Sequence, residues 1–186
     1  MVYLTALWLP ILISAVLVFV ASSVLHMVLT YHHHDQTKLP DEDNLLAALR
    51  KAGVAPGNYR FPCPASMKDM NSPEMMEKYK KGPVGLMQVI PSGPPAMPKY
   101  LTMWFVYCVL VGFLVAYLTG RTLATGASYL AVFRVAGTAA FIAYAVGGIQ
   151  DSIWRAQLWS TTIKHTVDGL VYALLTAGVF GWLWPR

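Results

Sequence analysis

Four apolar runs dominate the sequence, and each is long enough to cross a lipid bilayer as a helix. They lie at about 4–29, 101–118, 127–149 and 167–184, and about 20 apolar residues span the hydrocarbon core. Hydrophobic residues make up 56% of the chain and charged residues 12%, a balance typical of proteins whose solvent is largely lipid. The first run is too long for a signal peptide and no Lys or Arg precedes it, so we expect it to be retained. The sequence predicts an all-α integral membrane protein with four transmembrane helices.

One polar insert of about 65–70 residues separates the first two predicted spans. The chain divides into a first transmembrane helix (1–30), the insert (31–99) and a three-helix transmembrane bundle (100–186). Within the insert, acidic residues followed by leucines at helical spacing predict a short amphipathic helix that begins near Asp41. Ser72 as N-cap, with Pro73 at the first helical position, predicts a second one. The remainder of the insert is rich in Pro and Gly and is expected to be loop.

The basic residues near the predicted span ends indicate the orientation of the chain. The side that carries the termini holds only Arg121 and Arg186, whereas the opposite side holds many more Lys and Arg residues. The positive-inside rule then places the insert in the cytoplasm and both termini outside. The compact layout suggests a bacterial inner membrane. The amphipathic segment 150–164 predicts either a helix lying in the interface or the tail of span three bending along it. Binding to anionic lipid headgroups is sufficient to explain the net charge of +5, so we expect no nucleic-acid partner.

Small residues recur at every fourth position of two predicted spans. They are Gly169, Ala173, Ala177 and Gly181 in span four, and Ala139, Ala143 and Gly147 in span three, with Ala136 and Ala140 beside them. Small residues let helix backbones approach closely, so these ladders predict tight packing. The ladders could pack on each other or on another membrane protein.

Two charged residues lie within predicted spans. Arg134 is about 10 Å inside span three at about 1.5 Å per residue, where a charge is costly unless it is paired or reaches the interface. It either bonds carbonyls or Tyr117, or it meets an acidic group of another subunit or a lipid phosphate. Asp168 falls in the first predicted turn of span four, where the helix dipole favours an anion, and Lys164 lies four residues earlier. We therefore expect a structural role for Asp168.

Histidines gather near the span ends on the insert side. The candidate metal ligands are His26, His32, His33, His34 and His165, with Cys63 and Met67 as soft ligands. Asp35 follows His34 directly; imidazole and carboxylate suit zinc, copper or iron, and sulfur suits copper(I). Against a metal site, consecutive histidines point in different directions and no His-x-x-His or Cys-x-x-Cys spacing is present, so contact with lipid headgroups is the alternative. Haem b held between His26 and His165 is a variant, because two helices of a bundle can supply both axial ligands.

No catalytic motif accompanies these residues. The sequence lacks the phosphate-loop, dinucleotide-binding, nucleophile-elbow and zinc-protease patterns, so no catalytic residue is assigned. The ladders and Arg134 favour a non-catalytic accessory, assembly or scaffolding subunit, which packs with other membrane subunits or forms a homo-oligomer among membrane lipids. The alternative is a redox or metal-handling membrane protein that binds a metal or haem through the histidines.

Overall fold

Seven α-helices and one β-hairpin make up the protein, whose computed structural model describes residues 1–186. In chain order the helices are α1 (Trp8–Ser23), α2 (Glu42–Lys51), α3 (Pro73–Lys81), α4 (Met97–Thr122), α5 (Tyr129–Tyr144), α6 (Ile149–Trp154) and α7 (Trp159–Trp182), and the strands are β1 (Gly57–Phe61) and β2 (Gly85–Val89). The chain forms two compact units: residues 1–36 with 96–186, and residues 37–95.

Three helical segments are long and apolar enough to cross a membrane, consistent with a membrane protein. They are Leu4–Val28, Met97–Thr122 and Tyr129–Trp154. The first joins α1 to a 3₁₀ turn before it and a π turn after it, and the third joins α5 to α6 through a 3₁₀ turn. Helix α7 is not among the three, because Lys164, His165 and Asp168 in its first half lower its mean hydropathy.

The connection between α6 and α7 differs from the expected interfacial helix at 150–164. Helix α6 ends at Trp154, the chain turns through Ala156 at φ 55°, and α7 begins at Trp159. The hydroxyls of Ser152 and Thr162 are 2.6 Å apart and join the two helices. The hydropathy pattern predicted a start for α7 near residue 167, because the first turns of α7 are polar. Hydrogen bonds hold these polar turns in place, and a hydropathy average does not take hydrogen bonds into account.

Helix α7 packs within the larger unit against both α5 and α1, and α1 also packs against α4. The largest apolar side chains that this packing buries are Leu7, Val18, Val111, Val115, Val132 and Phe180. They come from the first segment and from α4, α5 and α7. The four long helical segments therefore share one apolar interior.

The ladder of small residues on α7 faces α5. A Cβ added at Gly169 would lie 2.7 Å from the Cβ of Ala145, and one added at Gly181 would lie 2.7 Å from the ring of Tyr129. The two alanines between these glycines are buried. Small side chains are needed here because the backbones approach closely, so this ladder is used inside the chain.

On α5 the contact face is offset from the predicted ladder. Ala136 and Ala140 are fully buried, whereas Ala139 and Ala143 are half-buried and Gly147 is exposed, with open space around its Cα. Residues three positions apart are neighbours on a helix surface but do not coincide. The predicted residues therefore flank the buried face, which carries the two alanines beside them, and a Cβ added at Gly137 would lie 3.1 Å from the Cβ of Ala177.

The unit of residues 37–95 contains α2, α3 and the β-hairpin. Strands β1 and β2 are antiparallel, with Gly57 opposite Val89 and Phe61 opposite Gly85. Helix α3 is capped by Ser72, whose Oγ accepts the backbone N–H of Met75 at 3.2 Å. The expectation of loop around the helices was wrong, because strands of five residues are too short for alternating hydropathy to stand out. The fold is thus mostly helical rather than all-α.

Candidate metal centre

His26 takes its position from the π turn that ends the first helical segment. The N–H of Leu29 donates to the carbonyl of Val24 at 3.1 Å, five residues earlier. Such π turns are rare in proteins, and where they occur they are often at functional sites. Within it, Nδ1 of His26 lies 3.0 Å from the carbonyl oxygen of Ser22. With the proton on Nδ1, Nε2 is free to bind a ligand, and it lies 3.8 Å from Oδ2 of Asp168.

His32 lies in the turn after this helix, between two carboxylates. Its Nδ1 is 2.6 Å from Oδ2 of Asp35, and its Nε2 is 2.8 Å from Oδ2 of Asp168. The N–H of Asp35 also donates to the carbonyl of His32 at 3.0 Å, which closes the turn. Metal-binding histidines commonly have a carboxylate on their second nitrogen, which sets the direction of the ring. Asp35 fills that role for His32.

Lys164 ties this turn to α7. Its Nζ donates to Oδ1 of Asp35 at 2.5 Å and to the carbonyl oxygen of Tyr31 at 2.6 Å. The hydrogen bond from Lys164, followed by the one from His32, lowers the pKa of the Asp35 carboxyl to about 2. Asp35 is therefore ionised throughout the physiological range, and it orients His32 as an anion.

Asp168 is the carboxylate on which the histidines converge. It is 2% exposed, and the Tyr31 hydroxyl donates to its Oδ1, which leaves Oδ2 facing the imidazoles. Because α7 begins at Trp159, Asp168 does not lie in the first turn, and the helix dipole does not account for it. The expected partner Lys164 pairs with Asp35 instead. The sequence-based explanation of Asp168 was wrong on both points.

His165 completes the group from one turn earlier on α7. Its Nδ1 lies 4.0 Å from Oδ2 of Asp168, and the ligand atoms of His26, His32, His165 and Asp168 all lie within 4.8 Å of one another. Four ligands at about 2.0–2.1 Å from a tetrahedral ion are about 3.4 Å apart. The three separations from Oδ2, at 2.8, 3.8 and 4.0 Å, bracket that value. This group could hold a metal ion.

The imidazole rings form a triangle, and this shape does not fit haem. The ring centroids of His26 and His32 are 4.3 Å apart, those of His32 and His165 5.2 Å, and those of His26 and His165 6.1 Å. Two axial histidines must lie on opposite faces of a flat macrocycle, and His32 leaves no room for one. A single ion fits better, with one adjustment: the His26 and His32 rings, only 10° from parallel, must tilt toward it.

The other predicted ligands lie outside this group. His33 and His34 are exposed on the turn after α1, and Cys63 and Met67 are exposed in the unit of residues 37–95. The donor set within the larger unit is therefore three imidazole nitrogens and one carboxylate oxygen. Such a set suits zinc, iron(II) or copper(II), and it lacks the soft ligands that favour copper(I).

The sequence reasoning missed three residues of the cluster as functional groups. They are Tyr31, Lys164 and Asp168. One signal for them was present: a His and an Asp three residues apart lie on the same face of a helix, and His165 and Asp168 have this spacing. The absence of a His-x-x-His pattern was given too much weight, because a carboxylate can take the place of the second histidine.

Arg134, predicted as a contact for a partner, is exposed on α5. None of the ion pairs or side-chain hydrogen bonds of the structure includes it, and the Tyr117 ring contacts Arg121 instead. Its guanidinium thus points away from the bundle.

Comparison with protein-family models, with curated proteins and with solved structures finds no match to this chain. Its function is therefore argued from the chemistry of the site.

Proposed function

We propose that this protein is a metal-handling membrane protein that binds one zinc ion through His26, His32, His165 and Asp168. The observation that carries the proposal is the convergence of three imidazole nitrogens on a single carboxylate oxygen, with all four ligand atoms within 4.8 Å. The ligands come from the end of one helix, from the turn after it and from α7. A chain rarely brings such groups together without a use for them, since a buried carboxylate is costly unless it is compensated.

Zinc is the metal that this donor set fits best. Zinc accepts imidazole and carboxylate ligands in tetrahedral sites, and it has no geometric preference that would require a planar arrangement. The orienting contact from Asp35 to His32 is of the kind found behind zinc-binding histidines. Copper(II) prefers a square-planar arrangement, and iron(II) sites of this type commonly carry one histidine fewer.

We further propose that α7 is a fourth membrane-spanning helix, so that both termini lie on one side. Its 24 residues reach about 36 Å, which exceeds the hydrocarbon thickness of about 30 Å. Its packing against α1 and α5 and its polar residues near one end support this topology. With the insert in the cytoplasm of a bacterial cell, as the basic residues favour, the zinc site would lie at the cytoplasmic face of the inner membrane.

The test is to purify the protein and its histidine variants in mild detergent and to measure their metal content by inductively coupled plasma mass spectrometry. The variants His26→Ala, His32→Ala and His165→Ala should each lose most of the bound zinc. Matched controls are His33→Ala and His34→Ala, which remove neighbouring exposed histidines outside the group. The proposal fails if the wild type binds less than one zinc per chain at saturation, or if the control variants lose as much as the others.

A second candidate is the accessory or scaffolding subunit, which Arg134 supports. A guanidinium on an exposed face of a helix apolar enough to cross a membrane is stabilised by an acidic group outside the chain or by a lipid phosphate. The small-residue ladder on α7 no longer adds to this argument, because it is buried against α5.

Native mass spectrometry of the protein extracted from its own membranes tests this second candidate. A partner subunit that co-purifies with the wild type should be lost with Arg134→Leu and kept with Arg50→Leu, which removes an exposed arginine of the other unit. If the wild type and every variant have the mass of the monomer alone, a stable partner is excluded.

A further inference from the structure

A cavity of about 560 Å³ lies beside the metal cluster, within the unit that contains the long helices. This volume is within the range of about 300–1,000 Å³ that is typical of sites for small organic ligands. Three residues of the cluster, His26, His165 and Asp168, form part of its wall. The cavity is thus a second feature of the same region, and its interior offers more room than a metal ion needs.

Aromatic side chains line one part of this cavity. The ring centroid of Trp104 is 6.4 Å from that of Tyr144 and 6.1 Å from that of Tyr172, and the two tyrosine rings are 5.6 Å apart. The indole Nε1 of Trp104 donates to Oγ of Ser22 at 2.7 Å, which fixes the plane of the indole. These three rings meet one another tilted or edge to face, and aromatic rings pair favourably with a further flat ring by offset stacking or edge-to-face contact.

One polar group in this aromatic wall has no partner. The hydroxyl of Tyr172 is buried and makes no hydrogen bond, and the residue is 4% exposed. A buried hydroxyl without a partner is destabilising, so such groups are normally satisfied. A ligand oxygen in the cavity would accept this hydrogen bond.

One side of the cavity's mouth is apolar, whereas His26 and His165 are exposed in another part of its lining. The apolar side consists of Met27, Met97 and Leu101, which are exposed and belong to two of the segments that are apolar enough to cross a membrane. A ligand that reaches the cavity past these side chains is therefore soluble in lipid.

We propose that the cavity binds a flat, lipid-soluble ring molecule with an acceptor oxygen, of the quinone class, whose oxygen accepts the hydrogen bond from Tyr172. The aromatic wall selects the flat ring, the unpaired hydroxyl selects the oxygen, and the apolar side of the mouth selects a lipid-soluble molecule. The proposal concerns binding alone and does not depend on a metal in the neighbouring cluster.

The test compares two probes of the same shape, duroquinone and durene, which differ in the presence of the two oxygens. Binding is measured by equilibrium dialysis with the full chain in lipid nanodiscs, and empty nanodiscs provide the blank. Duroquinone should bind more tightly than durene by about two- to tenfold, the factor expected of one hydrogen bond. Tyr172→Phe should abolish this difference, and Tyr100→Phe, which changes an exposed tyrosine outside the cavity, should retain it.

A variant that fills the mouth locates the site. Leu101→Trp places a larger side chain at a position that is 37% exposed, so the bundle can accommodate it, and both probes should then lose their binding. Equal binding of the two probes to the wild type, or a preference that survives in Tyr172→Phe, would overturn the proposal. Zinc content measured on the same samples keeps the two ideas apart, since Tyr172 is not among the zinc ligands.

Discussion

The imidazole of His32 and the carboxylate of Asp168 are 2.8 Å apart, although 136 residues separate them in the chain. This contact joins the turn after the first helix to the first half of α7. Lys164 and Asp35 form a second link between the same two elements, at 2.5 Å. The two contacts hold the histidines around one carboxylate, so the candidate zinc site and the docking of this turn on α7 depend on the same residues.

Removal of the charge of Asp168 should weaken zinc binding without a large change in shape. Asn has nearly the same volume, but it lacks the anionic oxygen that faces the three imidazoles, so Asp168→Asn should lower zinc affinity by at least about tenfold. Competition with a zinc-chelating dye measures the change. Asp151→Asn is the matched control, because Asp151 belongs to α6 and pairs with Arg155 outside the cluster. Equal affinities for both variants would contradict the assignment of Asp168 as a ligand.

The stability of the protein should fall at acidic pH through Asp35. The folded-state pKa of this carboxyl is lowered to about 2, chiefly by the hydrogen bond from Lys164, whereas an unperturbed Asp has a pKa of about 3.9. A lowered pKa contributes stability above the unfolded value, and this contribution is lost as the pH falls from about 4 toward about 2.

Thermal unfolding in detergent at several pH values between about 2 and 5 tests this prediction. Asp35→Asn should flatten the decline in Tm over that range, and Asp43→Asn, which removes an exposed acid of the other unit that forms no ion pair, should leave the decline in place. A decline of the same size in Asp35→Asn and in the wild type would show that other groups cause it.

Hydropathy was sufficient to find the apolar part of all four long helices, including residues 167–182 of α7. It misplaced the start of α7 and interpreted Asp168 as the first turn of a span. The real start at Trp159 places Asp168 within the bundle, facing His26 and His32. A hydropathy average treats each residue alone, so a polar residue that is satisfied by a distant partner looks like the end of a helix.

The site could be predicted only in part for a similar reason. His26, His32 and His165 were candidates from their residue type and from their place near the span ends. Asp35 was a candidate only as a carboxylate beside the histidines, and Lys164 was not a candidate, because the contact between them joins elements that are 129 residues apart. His33 and His34 could not be separated from His32 by sequence, since the path of the turn decides which ring faces α7.

Loss of Lys164 should disturb the cluster at a distance. Lys164→Met keeps the length of the side chain but removes both hydrogen bonds that anchor Asp35 and the carbonyl of Tyr31. The turn that carries His32 would then be less well held, and zinc affinity should fall by about 10–100-fold, as for other residues that orient metal ligands. The measurement is zinc titration together with proteolysis of the turn. Lys99→Met, at an exposed lysine without an ion pair, should behave as the wild type, and an unchanged Lys164→Met would rule out the anchoring role.

Gly169 tests whether the ladder on α7 packs inside the chain. A Cβ at this position would lie 2.7 Å from the Cβ of Ala145 and 3.1 Å from its backbone, so Gly169→Ala must push α5 and α7 apart and should destabilise the fold by about 1–3 kcal/mol. Gly178 on the same helix is the matched control, because the nearest atom to an added Cβ there is the Tyr129 hydroxyl at 3.9 Å. Gly178→Ala should leave stability unchanged or raise it slightly, since Ala is the better helix former. Unfolding in mild detergent measures both variants, and equal stabilities would mean that α5 and α7 are not in close contact at Gly169.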